Sequence, residues 1–304
     1  MAKVSLKSIF FIILFCLSTS IFPIDVEYPL VQSFTHFPYS ENEVLKEGEY
    51  SFYADLLYSN VFMFDVARTT FNDMELFSGT FGFRYSISDS VNLELYNKSS
   101  IFYGGVMDLF IMDFHEAIGL KRGARENFER NEVNYYYKDL FFYEKNLFVN
   151  YPIVFGFLTK IYDGYKWDIN FRASFGLPVS SREGLSSEKP FLTTGVIFLY
   201  RNGDLSFDLS NYVSFYKKPE WAEFEDIRTK IFMVHIKGVY KRFFAGLLFR
   251  STPFKVGDIS NPAFQMYFGV KISDFIEFSL VEEFPPMDTV PDFSFRLTFR
   301  FGSR

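Results

Sequence analysis

From residue 166 to 177, apolar and polar side chains alternate without a break. Trp167, Ile169, Phe171, Ala173, Phe175 and Leu177 hold the odd positions; Lys166, Asp168, Asn170, Arg172, Ser174 and Gly176 hold the even ones. Successive residues of a strand point to opposite faces, so this spacing predicts a strand with one apolar and one polar face. The pattern recurs over 204–215, where Leu205, Phe207, Leu209, Val213 and Phe215 oppose Asp204, Ser206, Asp208, Ser210 and Ser214. It recurs again over 292–301, where Phe293, Phe295, Leu297, Phe299 and Phe301 oppose Asp292, Ser294, Arg296, Thr298 and Arg300. A soluble sandwich also alternates. These segments, however, run for about ten residues or more, against the usual five or six of soluble strands.

Twelve strands are predicted, over 49–60, 73–87, 90–101, 150–162, 166–177, 189–200, 204–216, 229–240, 243–251, 263–273, 275–284 and 292–301. The links alternate between short and long, the longest covering 102–149. That is the habit of outer-membrane barrels, with short periplasmic turns and longer external loops. An even strand number closes an antiparallel barrel without an edge. Residues 132–143 also look extended and are placed inside the long loop, as a strand extension above the membrane. The expected fold is therefore all-β, an antiparallel transmembrane β-barrel of twelve strands over 49–304.

The N-terminus reads as a secretory signal over 1–20. Lys3 and Lys7 precede the apolar run SIFFIILFCL, and Ser18-Thr19-Ser20 supplies small residues for cleavage after Ser20. The run is shorter than the roughly 20 residues of a spanning helix. Cys16 is the only cysteine and lies inside that run, behind Leu14-Phe15, a poor lipobox because Phe15 is bulky. After cleavage no cysteine remains for disulfide or thiol chemistry. Residues 21–48 are expected to form an N-terminal periplasmic segment. Losing Lys3 and Lys7 takes the formal net charge from −6 to about −8, the wrong sign for a nucleic-acid partner. The 43 Phe and 20 Tyr exceed what a soluble core needs and suit a lipid-facing wall with aromatic girdles. The expected partners are outer-membrane lipid and the barrel assembly machinery.

One segment breaks the alternation. Met107, Phe110, Ile111, Phe114 and Ile118 fall on one helical face, and Gly119 stands where a C-cap glycine would. This predicts a short amphipathic helix in the external loop. One reading makes it a lid or buttress, with its apolar stripe on the barrel mouth or in lipid. The other makes it a ligand-binding or gating site in which Asp108, His115, Arg122 and Arg125 converge.

The predicted lumen carries charges of both signs, among them Lys166, Asp168, Arg172, Asp208, His235, Arg296 and Arg300. In a small barrel such a set pairs and fills much of the interior, which argues against a wide diffusion pore. Glycine-rich phosphate loops, zinc-type His/Cys spacing and a Gly-x-Ser-x-Gly elbow are all missing from the sequence, so no cofactor or metal is expected. A lipid-cleaving barrel would need a Ser and a His on the outer wall. His235 alternates with Phe232, Val234 and Ile236, which places it on the inner face.

Several landmarks together resemble an uncharacterised family of Gram-negative outer-membrane β-barrels, a domain of unknown function. They are Pro29-Leu30, Phe37-Pro38 and Glu47-Gly48; Asp108, Phe114-His115, Gly119 and Arg125; and Gly176-Leu177-Pro178. A glycine-rich turn ending in Asp, which that family carries before the fifth-strand region, is absent here. The resemblance implies the barrel and the compartment, and no established activity. A narrow channel or transporter for small solutes and a non-transporting structural, assembly or adhesion barrel both fit these residues. A lipid-acting enzyme is the third possibility.

Overall fold

The computed structural model describes residues 42–303, apart from 65–69, 118–131, 138–140, 180–181, 183–184, 187–188, 221–228, 252–262 and 284–291. The signal read over 1–20 lies outside the described residues. In chain order the elements are β1 (Tyr50–Phe64), β2 (Thr70–Ser88), β3 (Val91–Tyr103), α1 (Met107–Ala117), β4 (Asn134–Tyr137), β5 (Phe141–Tyr143) and β6 (Leu147–Asn150). They continue with β7 (Ile153–Asp163), β8 (Trp167–Leu177), β9 (Phe191–Asn202), β10 (Leu205–Tyr216), β11 (Lys230–Tyr240), β12 (Phe243–Arg250), β13 (Ala263–Lys271), β14 (Ile276–Glu283) and β15 (Asp292–Gly302).

β1–β3 and β7–β15 make a closed wall of twelve antiparallel strands, each beside its neighbour in the chain. The ring closes where β1 meets β15, from Ser51 opposite Gly302 to Ser59 opposite Ser294. Side-chain bonds clasp this seam towards both of its ends. Ser59 and Ser294 hydroxyls meet at 2.6 Å, and Ser303 Oγ accepts the Tyr50 amide at 3.0 Å. The residues after Phe301 thus extend the last strand into the closure. The closed ring leaves the wall without an open edge, which hydrocarbon demands.

Alternation becomes inside and outside. On β8, Asp168, Asn170, Arg172 and Ser174 are buried in the lumen, while Trp167, Phe175 and Leu177 are exposed. Near the short turns the exposed face carries Tyr50, Tyr85, Tyr162, Trp167 and Tyr240, an aromatic girdle at one end of the wall. Phe171, Phe207 and Phe295 face outward on strands whose inward neighbours are Arg172, Asp208 and Arg296. Nitroxide labels at the three Phe positions are therefore expected to be quenched by a lipid-soluble agent. Labels at the three charged positions are expected to be protected, and equal quenching on both faces would overturn the register.

β1 and β2 rise beyond the expected strand ends, pairing up to Phe64 opposite Phe71 where a loop over 61–72 is predicted. β4 continues this edge by pairing with the start of β2, and β5 folds back on β4. The extended segment read over 132–143 is thus a hairpin above the wall. The strand expected over 150–162 is split at Tyr151-Pro152, because Pro152 has no amide to donate. Asn97 Nδ2 bridges the break by donating to the Tyr151 carbonyl at 2.7 Å.

The long-loop half of the lumen is packed. Val61, Leu76, Phe102 and Ile231 of the wall enclose Tyr135 of β4, Tyr151 and the loop residue Leu185 in one buried apolar cluster. Each of these loop side chains is fully buried.

Candidate functional site: the occupied lumen

The short-turn half of the lumen is polar and holds a piece of the chain's own N-terminus. Residues 42–48, expected to lie outside the barrel, run into it. Gly48 is held at the rim, its amide donating to the Ser86 carbonyl at 3.0 Å. Leu45 is bonded through both backbone groups, its amide to Asn92 Oδ1 at 3.1 Å and its carbonyl to Ser86 Oγ at 3.0 Å. Asn42 then reaches the interior. Its Nδ2 donates to Asp208 at 2.5 Å and to Ser210 at 3.1 Å. Its Oδ1 accepts from Arg172 at 2.8 Å, and its carbonyl accepts from Asn170 Nδ2 at 2.6 Å. A buried amide side chain must satisfy both its donors and its acceptor, and here the barrel wall does so.

Behind Asn42 lies a buried ion triad. Glu94 stands between Arg84 at 3.3 Å and Arg172 at 3.0 Å, and all three side chains are at most 3% exposed. Arg84 also donates to the Glu43 carbonyl, and Arg172 to Tyr212 Oη at 2.9 Å. β2 and β8 supply the two arginines and β3 the glutamate, each from an inward position. Gly82 on β2 leaves the space that the Tyr53 ring fills; a Cβ there would come within 2.1 Å of it.

On the β9–β15 side the lumen stays open as a cavity of about 230 Å³. Its lining includes Asp208, His235, Lys237, Glu277, Arg296 and Arg300. Glu277 lies 2.7 Å from Arg300, 3.7 Å from Lys271 and 3.9 Å from Lys237. Arg296 meets Asp55 at 3.4 Å, and Asp55 also accepts from Thr298 at 2.7 Å. His235 Nε2 lies 2.5 Å from Tyr267 Oη, whose ring lies over Gly246. Arg201 bridges Asp168 at 2.5 Å and Glu43 at 3.0 Å, tying the inserted segment to the wall.

Of the seven lumen charges read from the sequence, six take inward positions: Asp168, Arg172, Asp208, His235, Arg296 and Arg300. Lys166 does not. It sits in the turn between β7 and β8 with its Nζ 5.9 Å from the Tyr165 ring, because the inward register of β8 begins only at Asp168. Asn42 gave no signal in the sequence. Arg84 could have been found, since it alternates with Phe83 and Tyr85.

The helix belongs to a different surface. Asn60 of β1 and Glu75 of β2 are opposed in register and share the outward face with Phe77 and Phe81, which are 41% and 59% exposed. Yet Asn60 and Glu75 are fully buried, because α1 lies on them. Glu75 Oε1 accepts the Val106 amide at 2.8 Å and the Met107 amide as well; its Oε2 accepts Tyr58 Oη. Asn60 donates to Asp108 at 3.1 Å. A carboxylate at a helix N-terminus satisfies amides that the helix itself leaves open. The helix is thus pinned to the outer wall of β1 and β2. Its buried side is Met107, Asp108 and Met112, whereas Leu109 and Phe110 are exposed. Of the expected stripe, Met107 is buried and Phe110 exposed, while the side chains of Ile111, Phe114 and Ile118 lie outside the described residues. Asp108 is accordingly an anchoring residue. The His115 side chain, Arg122 and Arg125 lie outside the described residues.

Two long loops meet above the wall. Lys189 donates to Glu220 at 2.5 Å, and this bond holds the Glu220 carboxyl below its usual range.

Residues 14–146 match the family model described as protein of unknown function DUF3187. No curated protein matches the chain. Among solved structures it is similar to the COG4313 outer membrane channel from Pseudomonas putida F1, with 10% identity and a TM-score of 0.52 over 88% of this chain and 100% of that one. The CymD monoaromatic hydrocarbon channel aligns at 8% identity over 91% and 97% of the two chains, with a TM-score of 0.43. The KdgM porin in complex with disordered oligogalacturonate aligns at 9% identity over 83% and 99%, with a TM-score of 0.40. The likeness to the Pseudomonas channel is one of fold. The chain is an outer-membrane-type β-barrel of twelve strands.

Proposed function

We propose that the protein is a narrow channel for small solutes in the cell outer membrane, held shut at both ends in this conformation. The single observation that carries the reading is the mode of closure at the short-turn end, which on this reading faces the periplasm. Residues 42–48 fill the lumen through hydrogen bonds to polar wall groups beside a charge-lined cavity. A segment held in that way can exchange its partners for water, whereas an apolar core cannot. A permanently closed barrel gains nothing from polar walls around a removable strap. The second reading, a non-transporting scaffold, draws on the apolar cluster around Leu185 and Tyr135 at the other end.

Two closures in series mean that removing one alone changes conductance little. In planar bilayers, the mature chain and a form lacking residues 21–48 are expected to show small, infrequent steps. The same truncation combined with Leu185→Asp, which drives a charge into the apolar cluster, is expected to raise single-channel conductance several-fold. If that double variant folds and remains as silent as the intact chain, the scaffold reading stands instead.

A further inference from the structure

We propose that the lumen cavity is a binding site for a neutral, hydroxyl-rich ring: a small sugar or cyclic polyol. This deepens the channel reading by naming its solute class and rests on that reading for its purpose; the binding itself requires no current. Charge around the cavity is balanced. Among the described residues, the five bases of the lining stand against its acids Glu43, Asp208 and Glu277 and the inward Asp55 and Asp168 beside it. The pairs are already made. Arg296 meets Asp55, Arg201 lies between Asp168 and Glu43, and Glu277 is shared by Lys237, Lys271 and Arg300. Asp208 accepts from Asn42 and Ser210. An ion entering this space brings a charge with no counter-charge left over, or takes one from a pair that is then broken in a partly buried place; both are costly. A hydroxyl avoids both costs. It donates to a carboxylate and accepts from an ammonium or guanidinium while carrying no charge.

The same wall turns apolar along one strand. The buried inward positions of β14 are Glu277, Ser279 and Val281, opposite Lys271, Gly269 and Tyr267 of β13. The Phe244 ring lies in the place of the side chain that Gly269 lacks, and it packs with Tyr267, Val281 and Val239. Lys237 Nζ stands 4.8 Å from the centre of that ring. Paired charges, the Ser279 hydroxyl and an aromatic face therefore border one volume. A six-membered sugar ring carries hydroxyls at its rim and C–H bonds on its face, and so matches both kinds of lining. At roughly 30 Å³ per water, a cavity of about 230 Å³ replaces about seven or eight waters, room for a single such ring. Asn42 and Glu43 border it too, so an occupant would touch the strap that closes the channel.

The test uses the purified mature chain in detergent and isothermal titration with glucose, glucuronate, glucosamine and glycerol. At about pH 6 glucuronate is an anion and glucosamine a cation. Saturable glucose binding is expected, with both charged analogues weaker by about tenfold or more. Glycerol, which has hydroxyls but no ring face, is expected to be weaker by a similar factor. Ser279→Leu, which fills the cavity with an apolar side chain, is expected to weaken glucose by about tenfold or more. Should that variant lose its heat-modifiable mobility, Ser279→Ala serves in its place, with about a fivefold weakening for the lost hydrogen bond. Absence of saturable glucose binding, a charged analogue bound as tightly as glucose, or glucose binding unaffected by the folded serine variant would overturn the proposal. Binding without any conductance in the opened double variant would sink the channel reading and leave the site; conductance without binding would do the reverse.

Discussion

Glu94→Gln is expected to destabilise the barrel by about 3–5 kcal/mol, the cost of leaving buried charge without its partner. The substitution keeps the shape of the side chain and removes only its charge. Arg84 and Arg172 would then face each other across the lumen, each at most 2% exposed, with a neutral amide between them. The Asn42 oxygen and the Tyr212 hydroxyl remain as acceptors for Arg172 but bring no charge. Adding Arg172→Met to Glu94→Gln removes one of the two stranded cations. The double variant is expected to recover part of the loss, so the two substitutions are strongly non-additive. Urea unfolding in detergent, followed by the heat-modifiable band, measures both effects. A Glu94→Gln barrel within about 1 kcal/mol of the parent would mean that water or the N-terminal strap already screens the pair.

Glu75→Ala is expected to release α1 from the wall. One carboxylate accepts two amides at the helix start and the Tyr58 hydroxyl, and charge-assisted bonds are worth roughly 1.5–3 kcal/mol each. The expected loss is about 3–5 kcal/mol, concentrated in one element. The measurable signature is local: thermolysin added to intact cells should cut near 104–117 in the variant at a rate well above the parent, with the strands still protected. Asp108→Asn, which keeps an oxygen for Asn60, should change little. If the two variants are cut alike, the helix is not held through Glu75.

The wall was legible in the sequence wherever its outward face meets a uniformly apolar medium. β8 and β15 keep the alternation, with hydrocarbon on one side and paired charges on the other, and β10 departs from it only at the outward Asn211. The rule fails where something else covers the wall. Asn60, Asp73 and Glu75 are outward yet polar, so the upper ends of β1 and β2 read as loop although they are strand. The helix bounds agree with the 3.6-residue period. Its buried side followed from it only at Met107, since Asp108 and Met112, off the stripe, are buried too and Phe110, on it, is exposed. The lumen charges were visible as types. Their pairing was not, because it depends on which strands face each other across the barrel. Glu94 and Arg172 are 78 residues apart in the chain. The strap had no signature at all: Asn42 fits its site through hydrogen bonds that any polar loop residue could make.

The polar patch beneath α1 also sets an order of events in the making of this protein. Asn60 and Glu75 lie on the outward face and are buried only because α1 covers them. The segment that shields them is synthesised only after β2 and β3 are complete. Until α1 is in place, Asn60 and Glu75 have no helix over them. The cover over these two side chains is therefore added after the strands that carry them. That gives the barrel a beginning in time, although its closed wall has none in space.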